Sequence, residues 1–275
     1  MHRIAVGVTS ALLFCTFGMV GGQDGGKDSS HPAFKVLNGS GANPRITLTE
    51  LLDSYEKAVG GKAAIEKIRT LVVHEERRAE TKTGEQGFGS SVEYFKFPNK
   101  ARSVLIIPSN GSKGVTGYDG KTAWYYSPSE GIQQMGPEAS ALAAHELNLF
   151  NLLHLRATFP QMRLVGSSKV EGRDAYMVED SLESLHPRLF FDAETRLLIG
   201  SVEVQLGENR TLITEKFYSD FKVVNGVKFP FAERAFEYNR QNSFEIKRIR
   251  IECNIPLSDD FFGVNSTTAN KGGGA

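Results

Sequence analysis

The spacing of apolar positions changes along the chain, and each change predicts a different element. Leu48, Leu51, Leu52, Tyr55 and Val59 recur three and four apart, which predicts a helix with one apolar face. Thr47-Leu48-Thr49-Glu50 starts it as a capping box: the Thr47 hydroxyl accepts from the Glu50 amide while the Glu50 side chain reaches back. Gly60-Gly61 ends it, because glycine adopts the left-handed cap conformation cheaply. A short second helical stretch, Ala63 to Ile68, leads to Leu71. From there the pattern predicts strands at Leu71–Glu80, Val92–Phe97, Ser103–Ile107, Val115–Tyr118, Ala123–Tyr126, Arg163–Val165, Ala175–Val178, Arg188–Phe191, Leu197–Leu206, Leu212–Phe221, Val227–Arg234 and Phe244–Cys253. Asp119-Gly120 and Asn225-Gly226 are tight-hairpin dipeptides, suited to a turn with positive φ at both central residues. Val202, Val204 and Leu206 alternate with Ser201, Glu203 and Gln205, which reads as a strand with one wet face. Ile249, Ile251 and Cys253 are out of phase with Phe244 and Ile246, which predicts a bulge near Lys247–Arg248.

One long helix is expected to interrupt the strands, opening at Pro137 and running from Glu138 to about Arg156. Its second half, Leu147, Leu149, Phe150, Leu152, Leu153 and Leu155, is apolar nearly all round. A surface helix shows one stripe, so this one is buried on several sides or covers something apolar. About a dozen strands without a βα alternation predict a mainly β, α+β fold: one strongly curved antiparallel sheet with helices against its inner face.

The ends bear on location. Met1-His2-Arg3, the apolar run Ile4–Val20 and the small residues Gly21-Gly22 follow the order of a secretory signal peptide cut after Gly22. An uncleaved anchor and a lipid-modified Cys15 are the alternatives, disfavoured by the diluted run and by bulky Phe14. Residues 23–43 read as a flexible leader, 44–264 as one domain and 265–275 as a frayed tail. With Cys15 removed, only Cys253 remains and no intramolecular disulfide can form. Lys+Arg and Asp+Glu balance at 32 each, and there is no basic stripe, which argues against a nucleic-acid partner.

Catalytic patterns are missing. His145 and His154 are nine apart on the expected helix, on different sides of it, and cannot close on one metal. No His-Glu-x-x-His and no paired-cysteine zinc spacing occurs, so no metal, cofactor or catalytic residue is assigned; a carboxylate pair for hydrolysis is not excluded by sequence. Gly87-Phe88-Gly89-Ser90-Ser91 precedes a strand rather than a helix and lacks a phosphate-cradling context. Asp259-Asp260 reads as a solvated loop rather than a calcium site, and the triplets at Asn38, Asn110, Asn209 and Asn265 as ordinary polar turns. What remains is apolar surface. Tyr94, Phe95, Phe97, Val104, Ile106, Trp124, Tyr125, Met177, Phe190 and Leu198 from separate strands, with Leu149, Phe150 and Leu153 from helix 138–156, are candidates for an apolar ligand site on the concave face. The competing reading is that the same side chains simply fill a core.

Several segments resemble one known family. Leu51-Leu52-Asp53-Ser54-Tyr55 with Ala58-Val59-Gly60-Gly61-Lys62-Ala63-Ala64-Ile65 is similar to the opening helices of the LolA/LolB-like outer-membrane lipoprotein-sorting superfamily. Gly117-Tyr118-Asp119-Gly120-Lys121-Thr122-Ala123-Trp124 resembles a hairpin of that family, and Gly172–Tyr176, Phe191–Thr195, Tyr218–Phe231 and Asn254–Phe262 follow in order. The resemblance implies a half-open β barrel with a helical lid, and a periplasmic, non-catalytic carrier of a lipid or acylated ligand such as a lipoprotein. The alternative within the same fold is an envelope protein-interaction module with a filled core and no small ligand.

Overall fold

The computed structural model describes residues 45–264, apart from 82, 83, 85, 108–110, 182–184, 207–210 and 238–240. The expected signal, leader and tail, with Cys15, Asn38, Asn110, Asn209 and Asn265, lie outside the described residues.

Helix α1 spans Leu48–Ala58 and α2 spans Lys62–Ile65. The capping box is formed: Glu50 N donates to Thr47 Oγ1 at 3.2 Å and Thr47 N to Glu50 Oε2 at 2.8 Å. Leu51, Leu52, Tyr55 and Val59 are all buried, so the helical period read from the sequence is the face that packs.

The strands are β1 Thr70–Glu80, β2 Gln86–Lys96, β3 Lys100–Ile107, β4 Ser112–Tyr118, β5 Ala123–Ser127, β6 Gly131–Gln134, β7 Arg163–Val170, β8 Arg173–Glu179, β9 Leu185–Asp192, β10 Leu198–Leu206, β11 Thr211–Val224, β12 Val227–Glu237 and β13 Asn242–Cys253. They form a single 13-stranded sheet in the order β6-β5-β4-β3-β2-β1-β13-β12-β11-β10-β9-β8-β7. All its pairings are antiparallel, and it curls into an open half-barrel. Each neighbour pair except one is a sequential hairpin; the exception is β1 against β13. In that pairing Glu75 opposes Arg248 and His74 opposes Arg250, so Ile249 is the extra residue of a bulge. The phase break in the sequence marked this place to within two residues.

The expected long helix is three pieces: α3 Pro137–Glu146, α4 Phe150–Leu153 and α5 Leu155–Thr158. Among the described residues the longest helix is therefore α1. Asparagines explain the first break. Asn148 Oδ1 accepts from Phe150 N at 3.0 Å, its amide donates to Pro98 O at 3.1 Å, and Asn151 Nδ2 donates to His145 O at 2.6 Å. Such side chains compete with the helical ladder for backbone partners. His154, at φ −119 and ψ 45, makes the second break. The all-round apolar character is resolved by the breaks: short pieces point Phe150, Leu153, Leu155 and Phe159 into the core from different directions.

The main core lies on the inner face, where α1 and the α3–α5 lid meet Leu71, Val73, Phe95, Phe191, Leu198 and Phe229. A second cluster, Val170, Met177, Phe190, Val202 and Phe217, occupies the other face of the β7–β11 strands. On the outer face of β2–β5 the chain's last described segment forms a strap. Trp124 Nε1 donates to Phe262 O at 2.9 Å, Arg102 Nη1 donates to Phe261 O at 2.7 Å, and Tyr94 meets Phe261 edge-on at 4.9 Å. Asp259, half of the acidic pair, is tied to Lys96 at 2.7 Å and Lys100 at 3.1 Å. Trp124 rests on Gly117, where a methyl group would overlap the indole. Gly117→Ala is therefore expected to lower stability by about 1–3 kcal/mol, read as a fall in the urea midpoint with an unchanged slope.

Candidate functional site

The concave face encloses a cavity of about 170 Å³ beneath the lid. On its lid side the wall is apolar: Leu147, Leu149, Leu152 and Phe159 above, with Phe95, Leu189 and Leu198 from the sheet. Deeper in the half-barrel the wall is charged. Glu93 from β2, Glu75 and Arg77 from β1, Arg248 from β13, Glu233 from β12, Lys216 from β11 and Glu203 from β10 form a belt, completed by Ser103, Ser201, Thr214 and Tyr218. Strand alternation and register produce it. Glu75 pairs with Ser91 and Arg248, Glu93 with Ser103, and Ser201 with Lys216, so each faces inward with its neighbours.

The charged members of the belt are hydrogen-bonded to one another. Arg77 donates to Glu75 Oε2 and to Glu93 Oε1, both at 2.7 Å from Nη2. Arg248 donates from Nε to Glu75 at 3.1 Å, from Nη1 to Pro230 O at 3.0 Å and from Nη2 to Glu233 at 2.8 Å. Ser103 Oγ donates to Glu93 at 2.9 Å, and Lys216 Nζ donates to both oxygens of Glu203 at 3.2 and 3.0 Å. Burial opposes the charge on Glu75, but Arg77 and Arg248 outweigh it and hold the carboxyl below its usual range. Glu93 goes the other way: burial pushes its pKa up, against Arg77 and helped by the nearby charge of Glu75. At Glu203 burial is outweighed by Lys216 and His145, and the pKa falls. His145, over the cavity from α3, has its pKa lowered by burial.

The expected site residues divide by strand phase. Phe95, Leu149 and Leu198 line the cavity. Leu153 lines a small recess beside it with Tyr55 and Leu198, and Phe97 packs edge-on against Phe150 at 5.8 Å under the lid. Tyr125 has the inward phase but lies toward the β6 edge, its hydroxyl donating to Glu130 at 2.9 Å. Tyr94, Val104, Ile106 and Trp124 face outward, because Tyr94 alternates with Phe95 and pairs with Arg102, which pairs with Gly117, which pairs with Trp124. Met177 and Phe190 belong to the second cluster. Six of the thirteen thus lie away from the cavity, since apolar character alone does not tell one face from the other.

The belt is what the sequence reading left out. Its signal was the alternation of Ser201, Glu203 and Gln205, taken there for a solvent-facing strand side; Ser201 and Glu203 face the cavity. Among the described residues, no group of three or more His, Cys, Asp or Glu side chains is placed to hold a metal ion.

By sequence, the chain matches no protein-family model and no curated protein. Its fold does have solved counterparts. A LolA superfamily protein from Nitrosomonas europaea superimposes with a TM-score of 0.58 at 12% identity, over 80% of this chain and 99% of that one. A DUF1329 family protein from Desulfovibrio piger gives 0.56 at 16%, over 78% and 98%. A Vibrio parahaemolyticus domain described as an outer membrane lipoprotein-sorting protein gives 0.52 at 10%, over 79% and 96%. The protein therefore has a LolA-like fold, a curved antiparallel half-barrel closed on one side by helices.

Proposed function

We propose that this protein is an exported, periplasmic, non-catalytic binder of a lipid or acylated ligand, of the lipoprotein-sorting type. The observation that carries the reading is the cavity itself: one wall of lid leucines and Phe159, and beyond it a belt of buried charge. An acyl chain against the lid wall gains about 0.8 kcal/mol per buried methylene, and a polar end meets the belt. Export rests on the order of residues Met1–Gly22. The solved structures of like fold support the architecture, and one of them is described by a lipoprotein-sorting role.

A second reading is an envelope interaction module with a filled interior. The cavity's modest size of about 170 Å³ favours it. Native mass spectrometry of gently purified protein separates the two: a reproducible bound lipid supports the binder, and clean protein that takes up no lipid probe supports the module. Leu149→Asp gives a second test. Leu149 and Leu153 both belong to the main core cluster, but Leu149 also borders the cavity, whereas Leu153 borders only the small recess beside Tyr55. A carboxylate is tolerated beside an open space and costs several kcal/mol in a dry core. Leu149→Asp is expected to weaken binding of a fluorescent acyl probe about tenfold or more, about 1.4 kcal/mol, while remaining folded. Leu153→Asp is expected to lose the fold. If both simply unfold, the lid is core and the binder reading fails.

A further inference from the structure

Among the described residues, every charged side chain that lines the cavity already has a protein partner. All three nitrogens of Arg248 donate to protein oxygens, two of them to Glu75 and Glu233. Arg77 donates to Glu75 and Glu93, and Ser103 also donates to Glu93. Lys216 is spent on both oxygens of Glu203, and Glu237 accepts from Asn242 at 3.3 Å. His145 is uncharged at neutral pH, since burial lowers its pKa. A head of either charge would find no ion-pair partner waiting, and taking one would break a buried pair and strand its other member. The neutral side chains are different. Ser201 on β10 and Tyr218 on β11 are both almost fully buried, and both line the cavity. Their hydroxyls lie 3.5 Å apart, at the outer limit of a hydrogen bond, and among the described residues neither makes another. One such contact leaves the pair with a donor and several acceptor lone pairs unused. Burial raises the Tyr218 pKa, so the phenol keeps the proton it would donate. The position fits as well. Ser201 is opposite Lys216 in the sheet, and Tyr218 borders the small recess together with Leu152 and Leu198. The pair therefore lies where the belt meets the apolar wall, at the place of the polar end of a chain lying against that wall.

We propose that the ligand's polar end is uncharged and carries hydroxyl groups, as in a monoacylglycerol, and that it hydrogen-bonds to Ser201 and Tyr218. This rests on the binder reading above and adds the chemistry of the head. A glyceryl head brings donors and acceptors together in a small volume, which suits two hydroxyls that can each play either part. It satisfies buried polar groups that otherwise share one long contact, and it leaves the ion pairs of the belt intact.

The test uses probes of one chain length: monodecanoylglycerol, methyl decanoate, decanoate and decylamine, each below its aggregation concentration. They are titrated against the full exported chain at neutral pH, by displacement of a fluorescent acyl probe. Monodecanoylglycerol is expected to bind at least about tenfold more tightly than either ion, about 1.4 kcal/mol. It is also expected to bind severalfold more tightly than methyl decanoate, an uncharged ester without hydroxyls. Tyr218→Phe and Ser201→Ala each remove one hydroxyl with little change of shape, and Ser201→Ala serves alone if Tyr218→Phe does not fold. Either is expected to remove most of the margin over methyl decanoate while leaving methyl decanoate itself unchanged. A margin that survives in the folded variants, or methyl decanoate binding as tightly as the glyceride, overturns the hydroxyl pair. Decanoate or decylamine binding as tightly as the glyceride overturns the uncharged head. Each of these results leaves the binder reading standing. If none of the probes binds, the binder reading falls and takes this inference with it.

Discussion

Replacing Arg248 by methionine is expected to cost about 3–5 kcal/mol of stability, the usual cost of removing one partner from a buried ion pair. Arg248 is almost fully buried and bonds Glu75, Glu233 and the Pro230 carbonyl at once. Methionine fills much of its volume but leaves the buried Glu75 and Glu233 carboxylates without that partner. The loss should depend on pH in a definite direction. Glu75 has a folded pKa below its ordinary 4.5, so it contributes stability above that value and loses it as pH falls through the folded pKa. Without Arg248 that depression shrinks, and so does the contribution. The gap between wild type and variant should be widest at neutral pH and narrow as pH falls below about 4.5. Urea midpoints across that range check it; a gap that is constant with pH would mean the side chain matters for packing alone.

Gly60→Ala is expected to cost about 3 kcal/mol or more, combining backbone strain of about 1–3 with overpacking of similar size. Gly60 lies just past α1 at φ +130, a conformation that side chains rarely adopt, and a methyl there would overlap the Gly226 carbonyl oxygen. The helix end and the β11–β12 turn are in direct backbone contact, with Lys228 N donating to Val59 O at 2.7 Å. Gly61→Ala is the control. It shares a positive φ, +82, but nothing stands within 4 Å of its added methyl. Both should lose the strain energy, and Gly60→Ala should lose at least about 1 kcal/mol more from the overlap. Equal losses, measured by urea denaturation, would show that the close approach has slack.

These two sites show what the sequence made legible. Gly60-Gly61 was readable as a helix stop, because a cap is a local device. Its fit against Gly226, a contact across more than half the chain, leaves no local mark. The same division runs through the fold. The capping box, the Asn225-Gly226 turn and the bulge at Ile249 are each written in a few adjacent residues, and each is present. The broken lid was not foreseen because Asn148 and His154 are tolerable in a helix; their distant partners, the Pro98 carbonyl and the Phe97 ring, decide otherwise. At the site, aromatic and aliphatic residues were collected without fixing strand phase, so Trp124 and Phe190 were grouped with Phe95 although they face away from the cavity. The charged belt was hidden for a related reason. An alternating polar face usually means water, and only closure of the sheet turns Glu203 and Lys216 inward.

The single non-sequential pairing has a consequence for assembly. Every neighbour contact in the sheet but one joins strands adjacent in sequence, so β1–β6 and β7–β13 can each register themselves through short hairpins. The exception brings together residues 176 apart, as in the contact of His74 with Arg250. Loop closure adds only about 0.6 kcal/mol per doubling of length, so the seam is a matter of timing more than of cost. Until it closes, β1 and β13 are open edges, and an open edge invites pairing with another chain. Each edge carries inward-pointing charge, Glu75 and Arg77 on one and Arg248 on the other, which stays hydrated until its partner arrives. A stray strand that lacks matching charges would bury these side chains unpaired. The belt that shapes the finished cavity thus also disfavours pairing of the two unfinished halves with strands that lack its charges.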